Sequence, residues 1–184
     1  MQVDALKIPE VLLIVPRAFG DNRGRFSETY KKSAYVEAGV AVDFVQDNRS
    51  LSLGVGTIRG LHFQTPPFAQ SKLVSVQAGR VYDVAVDLRR GSATFGQYVS
   101  AELSAEKGEQ LFIPIGFAHG FCTLEPNTVV TYKVDQYYAP ANEAGFHWLT
   151  QELAIDWPCR PEDGVLSAKD AILPDRIDPA VCFP

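Results

Sequence analysis

Residues 108–119, Gly108-Glu109-Gln110-Leu111-Phe112-Ile113-Pro114-Ile115-Gly116-Phe117-Ala118-His119, decide how this chain is read. The spacing is a glycine, five residues, a proline, one residue, a second glycine, two residues and a histidine. Apolar runs flank the Pro-x-Gly unit, and proline and glycine together favour a tight turn between two strands. Alternation along the second run places His119 on the same face as Phe117, Phe121 and Thr123. A strand pair that delivers one imidazole to a largely apolar face suits the mouth of a β-barrel.

Working outward, the same texture continues on both sides. Strand-like runs cover 11–15, 43–47, 56–63, 72–77, 81–88, 97–103, 110–114, 117–124 and 129–137. A turn at 19–24 precedes alternation through 25–30. Only 31–38 has the character of a helix, with Gly39 positioned to end it. Roughly eight to twelve residues separate successive strand starts, as in an all-β sandwich or barrel. Period-two sorting puts Tyr82, Val84, Val86 and Leu88 on one face and Val81, Asp83, Ala85 and Asp87 on the other. Lys72 lies with Val74 and Val76, and Tyr132 with Val130 and Val134, so several strands each bring one polar group to an apolar face. The prolines beyond Pro158 mark an irregular tail expected to wrap the surface.

Composition narrows the function. Apolar residues make up 46% of the 184 and charged residues 21%, which suits a packed globular chain and excludes a disordered one. The formal charge is −5, so general binding to nucleic acid is not expected. No apolar run approaches the ~18 residues of a membrane span, and no signal peptide precedes the first strand, so the chain is expected to be cytoplasmic. In that setting the sequon Asn48-Arg49-Ser50 carries no meaning. Cys122, Cys159 and Cys182 form no CxxC unit and indicate neither a zinc ribbon nor a disulfide framework.

The stretch 108–119 resembles the second conserved box of the cupin superfamily, which implies a jelly-roll barrel. Metal-dependent cupins carry a His-x-His pair and a glutamate in the first box. Here Gly60-Leu61-His62-Phe63-Gln64 supplies one histidine, with Gln64 in the second place, so no metal is expected. His147, between Phe146 and Trp148, is read as structural. The glycines at 54, 56 and 60 have the wrong spacing for a dinucleotide fingerprint, and no Gly-x-Ser-x-Gly elbow supports a hydrolase. What remains is acid–base chemistry: His62 as a base near neutrality, Lys72 as a stabiliser of an oxyanion and Tyr132 as a proton donor.

Several longer motifs sharpen this. Asp21-Asn22-Arg23-Gly24-Arg25-Phe26-Ser27-Glu28, Gln46-Asp47-Asn48, Ile58 to Gln64, Gln70-Ser71-Lys72, Tyr82 to Arg89, Pro114 to Phe121, Tyr132-Lys133, Tyr137-Tyr138 and Leu166 to Asp170 occur in this order. Together they resemble the dTDP-4-dehydrorhamnose 3,5-epimerases over nearly the whole chain. The resemblance implies an all-β, cupin-like jelly roll with a few short helices, folded as a single domain over residues 1–184. It also implies a homodimer in which the N-terminal segment crosses to the partner.

By the same resemblance the substrate is a dTDP-4-keto-6-deoxy sugar, inverted at C3 and C5 without a cofactor in dTDP-L-rhamnose synthesis. His62 would be the base, Asp170 its support, Lys72 the group beside the C4 oxygen and Tyr132 the acid on the opposite face. Arg59 and His119 would hold the diphosphate. Arg23, Glu28, Gln46 and Asn48 would contact the nucleotide side, with Phe19 and Phe26 stacking on the thymine. Glu143, Lys169 and Tyr138 are further substrate contacts. Asp83 is expected to pair with Lys72 across neighbouring strands. Departures at Ala93, Tyr98 and Leu149-Thr150-Gln151 touch none of these residues. An epimerase of C3 alone or C5 alone, and a non-catalytic sugar-nucleotide-binding cupin, are the alternatives.

Overall fold

Two antiparallel sheets and a separate ribbon make up the computed structural model, which describes residues 1–184. In chain order the strands are β1 (Gln2–Ala5), β2 (Leu12–Val15), β3 (Ala18–Asp21), β4 (Gly24–Ser27), β5 (Gln46–Ser52), β6 (Ile58–Gln64), β7 (Lys72–Ala78), β8 (Arg80–Asp87), β9 (Tyr98–Ser104), β10 (Gln110–Ile113), β11 (Phe117–Thr123), β12 (Thr128–Val134) and β13 (Glu143–Gly145). One sheet runs β1-β2-β10-β7-β12-β5 and the other β13-β6-β11-β8-β9, while β3 and β4 pair only with each other. The chain is all-β, with one six-residue helix, α1 (Lys32–Glu37), and four short 3-10 turns.

The alternation in the sequence sorts the core into layers. Val74 and Val76 of β7, Val130 of β12 and Leu111 and Ile113 of β10 meet Val81 and Ala85 of β8, Val99 and Leu103 of β9 and Phe117 and Phe121 of β11 between the sheets. The opposite face of β8 is also buried. Val84 and Val86 pack with Phe146, Trp148, Leu153, Trp157 and Phe183, so the tail covers the outside of the five-stranded sheet. Tyr35 and Val40, from α1 and its exit, cover Ile14, Leu73 and Phe112 on the outside of the other sheet.

Two glycines are dictated by geometry. Gly116 takes a φ of +103° in the turn between β10 and β11, and a Cβ there would stand 2.6 Å from Arg89 Cγ. Gly60, at φ +117°, lets β6 approach β11 so closely that a Cβ would lie 2.6 Å from Gly120 Cα. Beside this contact the β6–β11 register shifts between His119 and Phe121, and His62 and His119 become Cα partners.

Some boundaries differ from expectation. The strand expected over 43–47 starts at Gln46 and runs on to Ser52, because its partner β12 ends at Val134 opposite Gln46. That same ending releases 135–137 from the expected strand into a loop. The alternation expected over 25–30 stops at Ser27, and the region read as turn, 19–24, falls inside the β3–β4 hairpin. β1 and β13 were not anticipated; both are short edge strands. No helix is long and apolar enough to cross a membrane.

Candidate active site

Five strands, β5, β6, β7, β12 and β13, and two loops converge at one end of the barrel. β6 carries His62 and Gln64, β7 opens with Lys72, and β12 carries Tyr132. In the six-stranded sheet Val134 pairs with both Lys72 and Gln46, and Tyr132 pairs with Asn48, so these polar residues occupy two successive rows on one side. Together with Tyr138 and Glu143 they line a cavity of about 110 Å³. A larger recess of about 550 Å³ opens beside Thr29, Arg49, Ser75 and Thr131, toward the outer side of the six-stranded sheet. It shares only Asn48 and Tyr132 with the first cavity and lacks the histidine and the lysine, so the smaller one is the chemical site.

His62 is a quarter exposed, and its Nε2 lies 2.7 Å from Asp170 Oδ1. Burial alone would raise the Asp170 carboxyl. Hydrogen bonds from His62, the Gly60 backbone N–H and Ser167 outweigh it and hold the carboxyl below its ordinary value. An ionised Asp170 accepts a hydrogen bond from the imidazole N–H that faces it, which leaves the opposite ring nitrogen with its lone pair available. Asp170 reaches this position because the tail docks on β6: Thr57 bridges Val165, and the Ile58 amide donates to the Val165 carbonyl.

Lys72 is buried at 9% exposure, with Nζ 3.5 Å from the His62 carbonyl oxygen and 5.9 Å from the Tyr132 ring centre. Desolvation lowers its pKa to about 8, against the opposing charges of Asp83 and Glu143. Tyr132 is pushed up by burial, with the Arg59 charge opposing, so it holds its proton at neutral pH. On the far rim, Tyr138 donates its phenol proton to Glu143 Oε2 at 2.6 Å, and Lys169 Nζ sits 2.6 Å from the same oxygen. Burial would raise Glu143, but the bonds from Lys169 and Tyr138 lower it instead.

The Asp83 expectation is corrected. Asp83 is fully buried and takes the Nε2–H of His119, at 2.9 and 3.1 Å to its two oxygens, and makes no bond to Lys72. The β8–β11 register explains this: Asp83 pairs with Phe121, and His119 lies two residues along on the same face. His119 is buried at 6% exposure, and burial lowers its pKa against the pull of Asp83.

A model of the dTDP-4-dehydrorhamnose 3,5-epimerase family matches residues 5–176. The chain belongs to this family. A dTDP-4-dehydrorhamnose 3,5-epimerase from Pseudomonas aeruginosa is 49% identical over 185 residues, covering 100% of both chains. Among solved structures, the enzyme of the same name from Bacillus anthracis, with TDP and pyrophosphate bound, is 51% identical. It superposes with a TM-score of 0.91, covering 94% of this chain and 98% of its own. The dTDP-6-deoxy-D-glucose-3,5-epimerase from Legionella pneumophila, in complex with dTDP-4-keto-L-rhamnose, is 44% identical with a TM-score of 0.92, covering 99% and 97%. The fold is the jelly roll of these epimerases.

Within the epimerase site, the structure gathers His62, Lys72, Tyr132, Asp170, Gln46, Asn48, Tyr138, Glu143 and Lys169. Arg59 stands at its edge, with Nε donating to Ser52 Oγ and a terminal nitrogen to the Leu51 carbonyl. Phe19, Arg23, Phe26 and Glu28 are not brought there by the same chain. The first three line a separate surface recess on the β3–β4 hairpin, and Phe26 is 70% exposed. Gln64 and Gln70 line the cavity although neither was assigned a role. For Gln64 a signal existed: it follows His62 by two positions and therefore shares its face.

Proposed function

We propose that this chain inverts C3 and C5 of dTDP-4-keto-6-deoxy-D-glucose, giving dTDP-4-keto-L-rhamnose. The observation that carries the assignment of roles is the His62–Asp170 pair, with Lys72 and Tyr132 facing the same small cavity. The C4 ketone acidifies the hydrogens on C3 and C5. His62 removes one of them, the C–H electrons move onto the C4 oxygen, and the Lys72 ammonium stabilises the enolate. Tyr132 then delivers its phenolic proton to the opposite face of the same carbon, which inverts it. The His62 proton returns to the Tyr132 phenolate through solvent, and the cycle repeats at the second carbon. No electron is gained or lost, so the chemistry requires no cofactor.

Glu143, Lys169, Gln46, Asn48, Arg59, His119 and Tyr138 hold the nucleotide sugar in this reading. Phe19, Arg23, Phe26 and Glu28 serve the site of a second copy, to which the hairpin crosses in a homodimer of single-domain subunits. The exposure of Phe19 and Phe26 on a hairpin that pairs with neither sheet supports that assignment. A cytoplasmic setting fits a nucleotide-sugar substrate. Proton NMR of the product tests the reaction. The expected product has both centres inverted; inversion of one carbon selects a mono-epimerase, and recovery of unchanged substrate removes the catalytic reading.

A further inference from the structure

We infer that Gln64 is a positioning residue that fixes the backbone of Tyr138 and thereby sets the affinity of the site for its nucleotide. The proposal rests on the epimerase reading for the role of Tyr138. It comes from a pattern of hydrogen bonds that no spacing in the sequence announces.

Residues 135–139 leave β12 without any regular partner strand and bring Tyr138 to the cavity wall. The side chains of three glutamines hold them. Gln70 Nε2 donates to the Gln136 carbonyl at 2.7 Å. Gln46 Oε1 accepts the Tyr138 N–H at 3.1 Å. Gln64, only 3% exposed, donates from Nε2 to the Tyr137 carbonyl at 3.2 Å and accepts the Ala139 N–H at Oε1, at 2.8 Å. Its second amide proton goes to the Phe68 carbonyl at 2.6 Å. Two carbonyls and one N–H as partners leave a single orientation for this amide.

The consequence is geometric. The φ and ψ of Tyr138 are set by the two peptide planes that flank it. Gln64 and Gln46 grip the Tyr137–Tyr138 peptide from its carbonyl and its N–H ends, and Gln64 also holds the N–H of the Tyr138–Ala139 peptide. Both planes are therefore fixed, and Gln64 is the one side chain that touches both. Tyr138 then points its hydroxyl at Glu143, which Lys169 also engages, so the setting of one backbone residue governs three substrate contacts. At the place where metal-dependent cupins carry a second imidazole, this chain carries an amide whose protons are both committed to backbone carbonyls.

The test compares wild type, Gln64→Met and Tyr138→Ala with the double variant, using calorimetric titration with dTDP alone and steady-state kinetics. Gln64→Met is expected to weaken dTDP binding and raise KM by about tenfold while kcat stays within about threefold. In the Tyr138→Ala background the same substitution is expected to change dTDP affinity by less than about twofold, because the two act through one element. Unchanged affinity, a fall in kcat alone or full additivity in the double variant would overturn the proposal. Should Gln64→Met fail to fold, Gln64→Asn, too short to span the gap but open to water, carries the same expectations and the same refutations. Because dTDP binding involves no turnover, the two readings fail separately. A Gln64 effect on dTDP in a chain without epimerase activity sinks the epimerase reading, and wild-type affinity in the Gln64 variants sinks the clamp.

Discussion

Asp170 Oδ1 lies 2.7 Å from His62 Nε2 across 108 positions of sequence, and it is held there from below by the Gly60 N–H and from its own turn by Ser167. The carboxylate fixes the imidazole tautomer and compensates the charge that appears when the ring takes a proton. Asp170→Asn is therefore expected to lower kcat by roughly 10²–10⁴-fold with little change in KM. Steady-state kinetics of the folded variant check this, and a change confined to KM would mean that Asp170 only shapes the pocket.

Lys72 limits activity at alkaline pH. The ammonium that stabilises the enolate is lost above about 8, where burial has placed its pKa. The kcat/KM profile is expected to fall above that pH, and Lys72→Arg, which stays charged, to lose the limb while retaining reduced activity. Tyr132, which burial raises above the ordinary phenol range, would titrate at higher pH than Lys72. The stability effect has the opposite sense. Unfolded Lys72 keeps its proton to 10.5 and folded Lys72 only to about 8, so the unfolded state holds more protons between these values and stability rises with pH there. Lys72→Met is expected to abolish activity yet stabilise the fold at pH 7 by up to about 3 kcal/mol, read from urea unfolding.

Tyr132→Phe separates the two proton transfers. His62 can still remove and return a proton on its own face, so deuterium wash-in to recovered substrate is expected to persist. Inverted product is expected to fall by roughly 10²–10⁴-fold. Mass spectrometry and NMR of the recovered nucleotide sugars measure both, and an equal loss of the two would contradict separate base and acid roles.

The hairpin residues predict complementation between subunits. If Arg23 serves the partner's site, Arg23→Ala and His62→Ala chains mixed and refolded together form heterodimers with one intact site. Activity is expected to return to about a quarter of wild type. No recovery, from variants that form dimers, would place Arg23 in the site of its own chain.

Much of the fold is legible in the sequence. The faces of β7, β8 and β12 follow from period-two alternation, because burial on a pleated strand obeys it, and the turn at Pro114 and Gly116 follows from backbone sterics. Asp170 could be proposed only through family resemblance, since nothing local pairs residues so far apart. Period-two alternation does not set register between strands, so it cannot decide the partner of Asp83; the β8–β11 pairing delivers it to His119 rather than Lys72. The Gln64 contacts depend on where β12 ends and the loop begins, a boundary that hydrophobic pattern alone placed three residues late.

Incubation with dTDP-4-keto-6-deoxy-D-glucose in deuterated water, followed by NMR, tests the central claim most directly. Wild type is expected to place deuterium at both C3 and C5 of the product, and His62→Ala at neither. Label at both carbons with His62→Ala, or none with the folded wild-type chain, would contradict the account.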